Sequence, residues 1–174
     1  IHLVLANGTT AEIIRQVKEG RIDFGIVRLP VEDRTLTALE AITVQDCFVA
    51  GPKFAHLAEK PVSLAELARY PLILFSRTST SSRFIQEFAA SHGVTLEPEI
   101  ELASVDLLIA FAKAGLGISF VTRQFAQDEL DAGNLVEVKV KEPIPSRKAG
   151  IVFLKNRRLS PATGTFLKSY LKLL

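Results

Sequence analysis

Methionine and tryptophan are absent from the 174 residues of this chain, and cysteine occurs only once, at Cys47. A single cysteine excludes an intramolecular disulfide framework. No apolar run approaches the roughly 18 residues that a membrane span requires, so no membrane partner is expected. The chain opens on Ile1 rather than on methionine, and we therefore expect the protein in the cell to be longer.

Charge and hydropathy narrow the class of protein further. Lysine and arginine exceed aspartate and glutamate by 21 − 19 = 2, a balance that does not indicate a nucleic-acid surface. With 48% hydrophobic residues the chain is too apolar to be disordered. A chain of this size buries about 70% of its unfolded surface. The length therefore predicts one domain or two small lobes.

Strand and helix patterns alternate along the chain. A short apolar strand at residues 2–6 precedes a helix whose start carries Thr9 and Glu12 in capping-box spacing. Residues 22–27 are apolar on both faces apart from Asp23, which is typical of a central parallel strand. Residues 36–50 are β-rich sequence that Gln45-Asp46 interrupts. The alternation continues to the last helix and predicts an α/β fold.

The usual signatures of catalysis and metal binding do not occur. His2, His56 and His92 lie far apart in different elements, so no metal site is predicted. Gly115-Leu116-Gly117 follows a helix and precedes a strand, which is the reverse of a phosphate-binding loop. Cys47 lies inside an apolar strand, which favours a buried, inert thiol over a nucleophile. We predict no enzyme activity and no cofactor.

Polar residues collect at three predicted helix starts. They are Gly8-Thr9-Thr10, the loop 76–82 with Arg77 and Arg83 nearby, and Ser104-Val105, where Ser104 is positioned to cap its helix. Helix starts present unpaired N–H groups and the positive end of the helix dipole, which together stabilise anions. Arg28, at the end of a strand, adds a positive charge. Since ligands of open α/β sheets bind beyond the carboxyl ends of the strands, these clusters predict a small-anion cleft.

Four segments resemble, in the right order, the motifs of LysR-type transcriptional regulators. They are VKEGRIDFGIVR at 17–28, PLILF at 71–75, AKAGLGISFV at 112–121 and RRLSPA at 157–162. The likeness runs the length of the chain. It implies an effector-binding domain with a fold similar to type 2 periplasmic binding proteins, in which two α/β lobes are joined by two crossing strands with the inducer between them.

The resemblance also implies how the chain is divided. Residues 1–49 and 147–174 would form regulatory lobe I, and residues 50–146 would form lobe II. The family's N-terminal winged helix-turn-helix and linker helix have no counterpart here, and the first strand and helix of lobe I are expected to be missing. DNA would be bound through that absent N-terminal domain.

The same resemblance implies which residues of this chain contact the inducer, namely those at positions that match the family's inducer contacts. They are Thr9, Thr10, Arg28, Ser76, Ser79, Thr80, Ser104, Val105 and Thr122. Thr122 departs from the family, which usually has proline after this strand, and would add a hydroxyl to the cleft. In some members the residue at the Arg28 position is an arginine that holds a carboxylate. A small organic anion is thus the expected effector.

Family members are typically dimers or tetramers, so a bacterial, cytoplasmic homo-oligomer is implied. Residues 2–6 and the helix at 82–92 are the surfaces we expect to take part. Two alternatives remain open at this stage. One is a periplasmic solute-binding protein for a small anion, and the other is an enzyme of the dehydratase or deaminase kind on the same fold, which Ser82-Arg83-Phe84 loosely suggests.

Overall fold

The computed structural model describes residues 4–157 and 159–172, and within them helices and strands alternate as an α/β fold. The helices are α1 (Thr10–Lys18), α2 (Leu64–Leu67), α3 (Thr80–Ser91), α4 (Val105–Lys113), α5 (Arg123–Asp131) and α6 (Pro161–Lys172). The strands are β1 (Gly25–Arg28), β2 (Leu36–Val44), β3 (Asp46–Ala50), β4 (Leu72–Phe75), β5 (Ile100–Leu102), β6 (Ile118–Thr122), β7 (Val136–Val138) and β8 (Arg147–Leu154). A 3₁₀ helix spans Pro52–Ala58.

The chain separates into two compact units. Unit 1 comprises Ile1–Thr43 with Arg147–Leu174, and unit 2 comprises Val44–Ser146. The sequence places residues up to 49 in the first lobe. In the structure the division comes earlier, because β3 forms its ladders with β6 and β7 inside unit 2.

Unit 2 is built on a five-stranded sheet in the order β5-β4-β6-β3-β7. β4 runs parallel to β5 and β6, whereas β3 is antiparallel to β6 and β7. Apolar side chains fill both faces of this sheet. One face packs against α3, α2 and the 3₁₀ helix, and the other packs against α4 and α5. This two-sided burial explains why β3 and β6 are buried along their whole length.

Unit 1 contains a three-stranded sheet in the order β1-β8-β2. β1 pairs antiparallel with β8, and Ile26 is 49% exposed. The prediction of a central parallel strand is therefore wrong for the described residues, because the apolar run reflects one buried and one open face. Residues 4–6 of the predicted first strand lie outside any strand, and residues 2 and 3 of that prediction lie outside the described part of the chain.

Local sequence signals set the ends of several elements. Thr9 and Glu12 form the predicted capping box at the start of α1. Gly115 lies just after the C-terminal end of α4 and has a φ of +73°, a backbone conformation that favours glycine. A side chain at Gly117 would meet the Pro71 carbonyl oxygen at 2.6 Å, so this glycine permits the close approach of β6 to the chain before β4. Arg158, part of the last family motif, lies outside the described residues.

Candidate functional site

Three parallel strands of unit 2 end at the same edge of the sheet. In the register, Phe75 of β4 lies beside Leu102 of β5, and Ile73 lies beside Ser119 of β6. Residues 76–80 follow β4, residues 103–105 follow β5, and Thr122 ends β6; we call these residues together the carboxyl edge. It brings together six of the predicted site residues: Ser76, Ser79, Thr80, Ser104, Val105 and Thr122. α3, α4 and α5 all begin at this edge, so three helix N-termini converge there.

The loop before α3 is fixed by its own hydrogen bonds. Ser79 is the N-cap, 7% exposed, and its hydroxyl oxygen accepts from the Ser82 backbone N–H at 3.0 Å. The Ser76 backbone N–H donates to the Leu102 carbonyl at 2.9 Å, which joins the ends of β4 and β5. The Ser76 and Thr78 hydroxyls lie 3.4 Å apart. The loop is thus held in place, with Ser76 and Thr80 half-buried.

Ser104 behaves differently from the capping residue that the sequence predicts. It occupies the N-cap position of α4, yet among the described residues its side chain makes no capping hydrogen bond. The predicted capping role is therefore wrong: Ser104 has the extended backbone usual at an N-cap (φ −122°, ψ 131°), but its hydroxyl accepts no N–H of the first turn of α4. Ser104 and Val105 are half-buried at the carboxyl edge. Among the described helix starts at this edge, those of α4 and α5 both lack a side-chain capping bond.

Thr122 ends β6 and donates its hydroxyl hydrogen to the Asp46 carboxylate, with an Oγ1–Oδ1 distance of 2.7 Å. The two residues are register partners on β6 and β3 and are 7% and 2% exposed. A hydroxyl has one hydrogen, so in this arrangement Thr122 presents an oxygen, not a donor, to other groups. Asp46 was not among the predicted site residues. Its sequence signal is the polar Gln45-Asp46 pair, which interrupts the β-rich residues 36–50.

Arg77, which the sequence places near the candidate anion site, is held by a carboxylate. Its backbone N–H and its Nε atom donate to the two oxygens of Glu101, at 3.1 and 3.0 Å. Arg77 is exposed, so the pair lies in solvent, where the charge is screened. The local positive charge of Arg77 is therefore largely offset by Glu101.

Unit 1 carries the other three predicted residues, Thr9, Thr10 and Arg28. The Thr9 hydroxyl accepts from the Glu12 N–H at 3.3 Å and lies 3.0 Å from Glu12 Oε2, which also accepts the Thr9 N–H at 2.7 Å. These hydrogen bonds from Thr9 lower the pKa of Glu12. The start of α1 is thus already occupied by a side-chain carboxylate, and the Thr9 hydroxyl is committed to the cap.

Thr10 and Arg28 are both half-buried. Thr10 begins α1, and Arg28 ends β1 opposite Ala149 of β8. α1 packs on β1 through Ile13 and Val27 in the small apolar cluster of unit 1. Unit 1 therefore carries an arginine at the end of a strand, as the sequence predicts.

Other reactive groups of the chain are in settings that do not favour chemistry. Cys47 is buried on β3, and desolvation raises the pKa of its thiol to about 12, so almost no thiolate forms at neutral pH. Among residues 4–157 and 159–172, no group of histidine, cysteine and acidic side chains could hold a metal ion. Within the same residues, no helix combines the length and apolarity needed to cross a membrane.

Comparison with known proteins connects this arrangement to one family. The family model described as "LysR substrate binding domain" matches residues 1–173. The Escherichia coli K12 protein described as "Uncharacterized HTH-type transcriptional regulator YeiE" is 29% identical over 163 residues, which is 94% of this chain and 55% of that protein. The chain thus spans about half the length of the curated relatives it matches.

Two solved structures share the fold. The effector binding domain of QuiR in complex with shikimate superposes with a TM-score of 0.82 at 21% identity, covering 95% of this chain and 78% of that one. The regulatory domain of CcmR from Synechocystis PCC6803, in complex with 2-PG, gives a TM-score of 0.83 at 19% identity, covering 95% and 79%. The likeness shows the two-lobe, periplasmic-binding-protein-like fold. On the extent of the family match, the chain belongs to the LysR substrate-binding domain family.

Proposed function

We propose that this chain is the effector-sensing domain of a bacterial LysR-type regulator and that its effector is a small organic anion. The observation that carries the proposal is the carboxyl edge of unit 2, where three helices begin beside the hydroxyls of Ser76, Thr80 and Ser104. Helix N-termini and hydroxyl donors stabilise an anion because the unpaired N–H groups and the dipole act together. The shikimate bound by QuiR is itself a carboxylate, which supports this chemical class.

The predicted site residues divide into two proposed roles. Thr10, Arg28, Ser76, Thr80, Ser104 and Val105 are proposed effector contacts. Thr9, Ser79 and Thr122 are proposed positioning residues, because their hydroxyls already bond to Glu12, Ser82 and Asp46 respectively. Arg28 is the proposed charge partner of the effector carboxylate.

In the whole protein, effector binding would reorient the two lobes and thereby alter DNA binding by an N-terminal winged helix-turn-helix. This role places the protein in the bacterial cytoplasm. The family match favours a regulator over a periplasmic solute-binding protein. A sensing role rather than catalysis agrees with the buried, weakly acidic thiol of Cys47.

We propose that the protein self-associates as a homodimer or homotetramer through α4. The helix at 82–92 was the expected surface, but the outward side of α3 carries Arg83 and Glu87, whereas α4 leaves Leu107 46% exposed. An exposed apolar side chain on a helix indicates a contact surface better than charged ones do. In sedimentation velocity, Leu107→Glu is expected to shift the chain to monomer, and Ala90→Glu on α3 is expected to leave it unchanged.

The effector class is tested by thermal shift of the chain with a panel of organic acids. Ligand at a hundred times its dissociation constant adds about 2.7 kcal/mol to stability, a rise of several degrees in Tm. We expect at least one carboxylate to stabilise the parent chain and to lose this effect in Arg28→Ala. Arg21→Ala, which removes an exposed arginine paired with Glu19 outside the carboxyl edge, is the matched control and should respond like the parent.

Two results would contradict the proposal at different levels. If no organic acid raises the Tm of the parent chain, the anionic effector class is wrong. If an acid stabilises Arg28→Ala as much as the parent, the effector class stands but the assignment of Arg28 does not.

A further inference from the structure

The chain crosses between its two units twice, after Thr43 and after Ser146. The outgoing connection is extended: β2 ends at Val44 and β3 begins at Asp46, so Gln45 is the one residue between the two strands. β2 belongs to the three-stranded sheet and β3 to the five-stranded sheet. Gln45 is therefore the residue at which the extended segment passes from one sheet to the other.

The return connection is stiff for a different reason. Pro143 and Pro145 flank Ile144 just before the chain leaves unit 2. Each proline ring fixes its own φ and pushes the preceding residue toward extended conformations. Movement at this connection is therefore limited by how residues 139–146 are anchored rather than by free rotation within them.

Two anchors hold the return segment on unit 2 before Ile144 is reached. Val62 donates its N–H to the Lys139 carbonyl at 3.0 Å and accepts from the Lys141 N–H at 2.8 Å. Glu142 accepts the Leu64 N–H at 3.0 Å, at the start of α2. Both anchors tie the segment to parts of unit 2 that are remote in sequence from the outgoing connection.

The side chain of Gln45 ties one connection to the other. Its Nε2 atom donates to the Ile144 carbonyl and to the Asp46 carbonyl, each at 3.1 Å. Carbonyl oxygens only accept, so the nitrogen end of the amide must face them, and its two hydrogens are both used. The Gln45 carbonyl in turn accepts the Arg123 N–H at 2.8 Å, which fixes this backbone to the start of α5.

We propose that Gln45 is a positioning residue that makes the two connections bend together when the lobes reorient. With the clamp in place, a change of backbone at residue 45 must carry Ile144 with it. Without the clamp, the outgoing connection bends independently of the proline-flanked return. The use of this coupling in signalling rests on the proposed function, whereas the clamp itself operates in the chain without effector.

The test measures the distance between two spin labels, one in each unit, by pulsed electron spin resonance on the effector-free chain. Arg15 on α1 and Glu87 on α3 are exposed and would be replaced by cysteine to carry the labels. Cys47 stays in place, because its buried thiol, with a pKa raised to about 12, does not compete for the label.

Three variants separate the donor role of Gln45 from mere packing. Gln45→Ala removes the side chain. Gln45→Glu keeps the shape but turns a carboxylate toward two carbonyl oxygens, so neither hydrogen bond can form. Gln127→Ala is the control, because it removes another bonded amide of unit 2, which donates to Asp131 at 2.6 Å within α5.

One hydrogen bond of ordinary net strength changes an equilibrium about fivefold. The population outside the parental distance range is therefore expected to rise about fivefold in Gln45→Ala and Gln45→Glu and to stay at the parental level in Gln127→Ala. If Gln45→Ala does not fold, the isosteric Gln45→Glu decides alone. These distances need no effector, so failure of the effector proposal leaves the test intact. A parental distribution in Gln45→Glu would overturn the clamp, whether or not Gln45→Ala differs.

Discussion

The two units of the chain differ in how completely their sheets are covered. In unit 2, helices pack on both faces of a five-stranded sheet, and Ile85 of α3 is fully buried. In unit 1, the described cluster around α1 consists of Ile13, Val27 and Val152, and Ile26 faces outward, 49% exposed. Full coverage makes unit 2 a rigid frame for the carboxyl edge. In unit 1, the predicted site residues lie beside a smaller apolar cluster.

The largest expected effect comes from removing one isoleucine from each core. Ile85→Ala is expected to cost about 4 kcal/mol and Ile13→Ala about 2 kcal/mol, in the upper half and at the lower end of the usual range for such truncations. Ile85 is enclosed on all sides at 0% exposed, whereas Ile13 is 7% exposed in a small cluster that can relax. Native-state hydrogen exchange would measure both, reading β4 and β6 for Ile85→Ala and β1 and β8 for Ile13→Ala. Equal costs at the two positions would show that the cores of the two units do not differ in how far they relax around a cavity.

A smaller effect is expected at the two helix caps. Ser79→Ala should cost about 1.5 kcal/mol and Thr9→Ala about 1 kcal/mol. Both hydroxyls accept a helix N–H, but Ser79 is buried, so no water replaces it, whereas the Thr9 cap is exposed. Urea unfolding of each variant measures the loss. A larger cost at Thr9 would show that exposure does not decide the strength of these caps.

The smallest effect is expected on the stability of the chain at acid pH. In unit 1, hydrogen bonds from Lys18 and then from Thr35 lower the pKa of Asp33 to about 2. A lowered folded-state pKa means that the stabilisation is complete above the unfolded value near 4 and is lost as the pH falls toward 2. The urea midpoint of the parent chain should therefore decrease over this window, by a small amount because the pair lies in solvent.

Asp33→Asn is the matched control for the acid prediction. The asparagine side chain does not titrate, so this part of the pH dependence should be absent while the remaining slope is kept. An unchanged pH profile in Asp33→Asn would show that the exposed bonds to Lys18 and Thr35 contribute nothing measurable to unit 1.

Local signals in the sequence predicted much of this structure. The Thr9–Glu12 capping box and the interruption of the β-rich residues 36–50 at Gln45 depend on residues close together in the chain, so the sequence displays them directly. The ordered family motifs led to the two-lobe fold, which the family match and the structural neighbours confirm.

Contacts between residues that are distant in the chain could not be predicted from the sequence. The apolar run at residues 22–27 fits a central or an edge strand equally well, and only the antiparallel pairing of β1 with β8 decides between them. Asp46 and Thr122 lie 76 positions apart, and the sequence around neither residue indicates that the Asp46 carboxylate accepts a hydrogen bond from the Thr122 hydroxyl. Ser104 has a capping residue's identity and position but lacks the capping bond, which depends on backbone geometry.

The sequence by itself determined the alternation of strands and helices, the family and the polar residue types at the helix starts, because these follow from periodicity, composition and short-range spacing. The tertiary structure decided which of those polar groups are already committed to partners. It gathered Ser76, Thr80, Ser104 and Thr122 at one edge, and it paired the Thr9 hydroxyl with Glu12 and the Thr122 hydroxyl with Asp46. The reason is that a hydroxyl has one hydrogen to give, and only the folded chain determines which acceptor lies within reach.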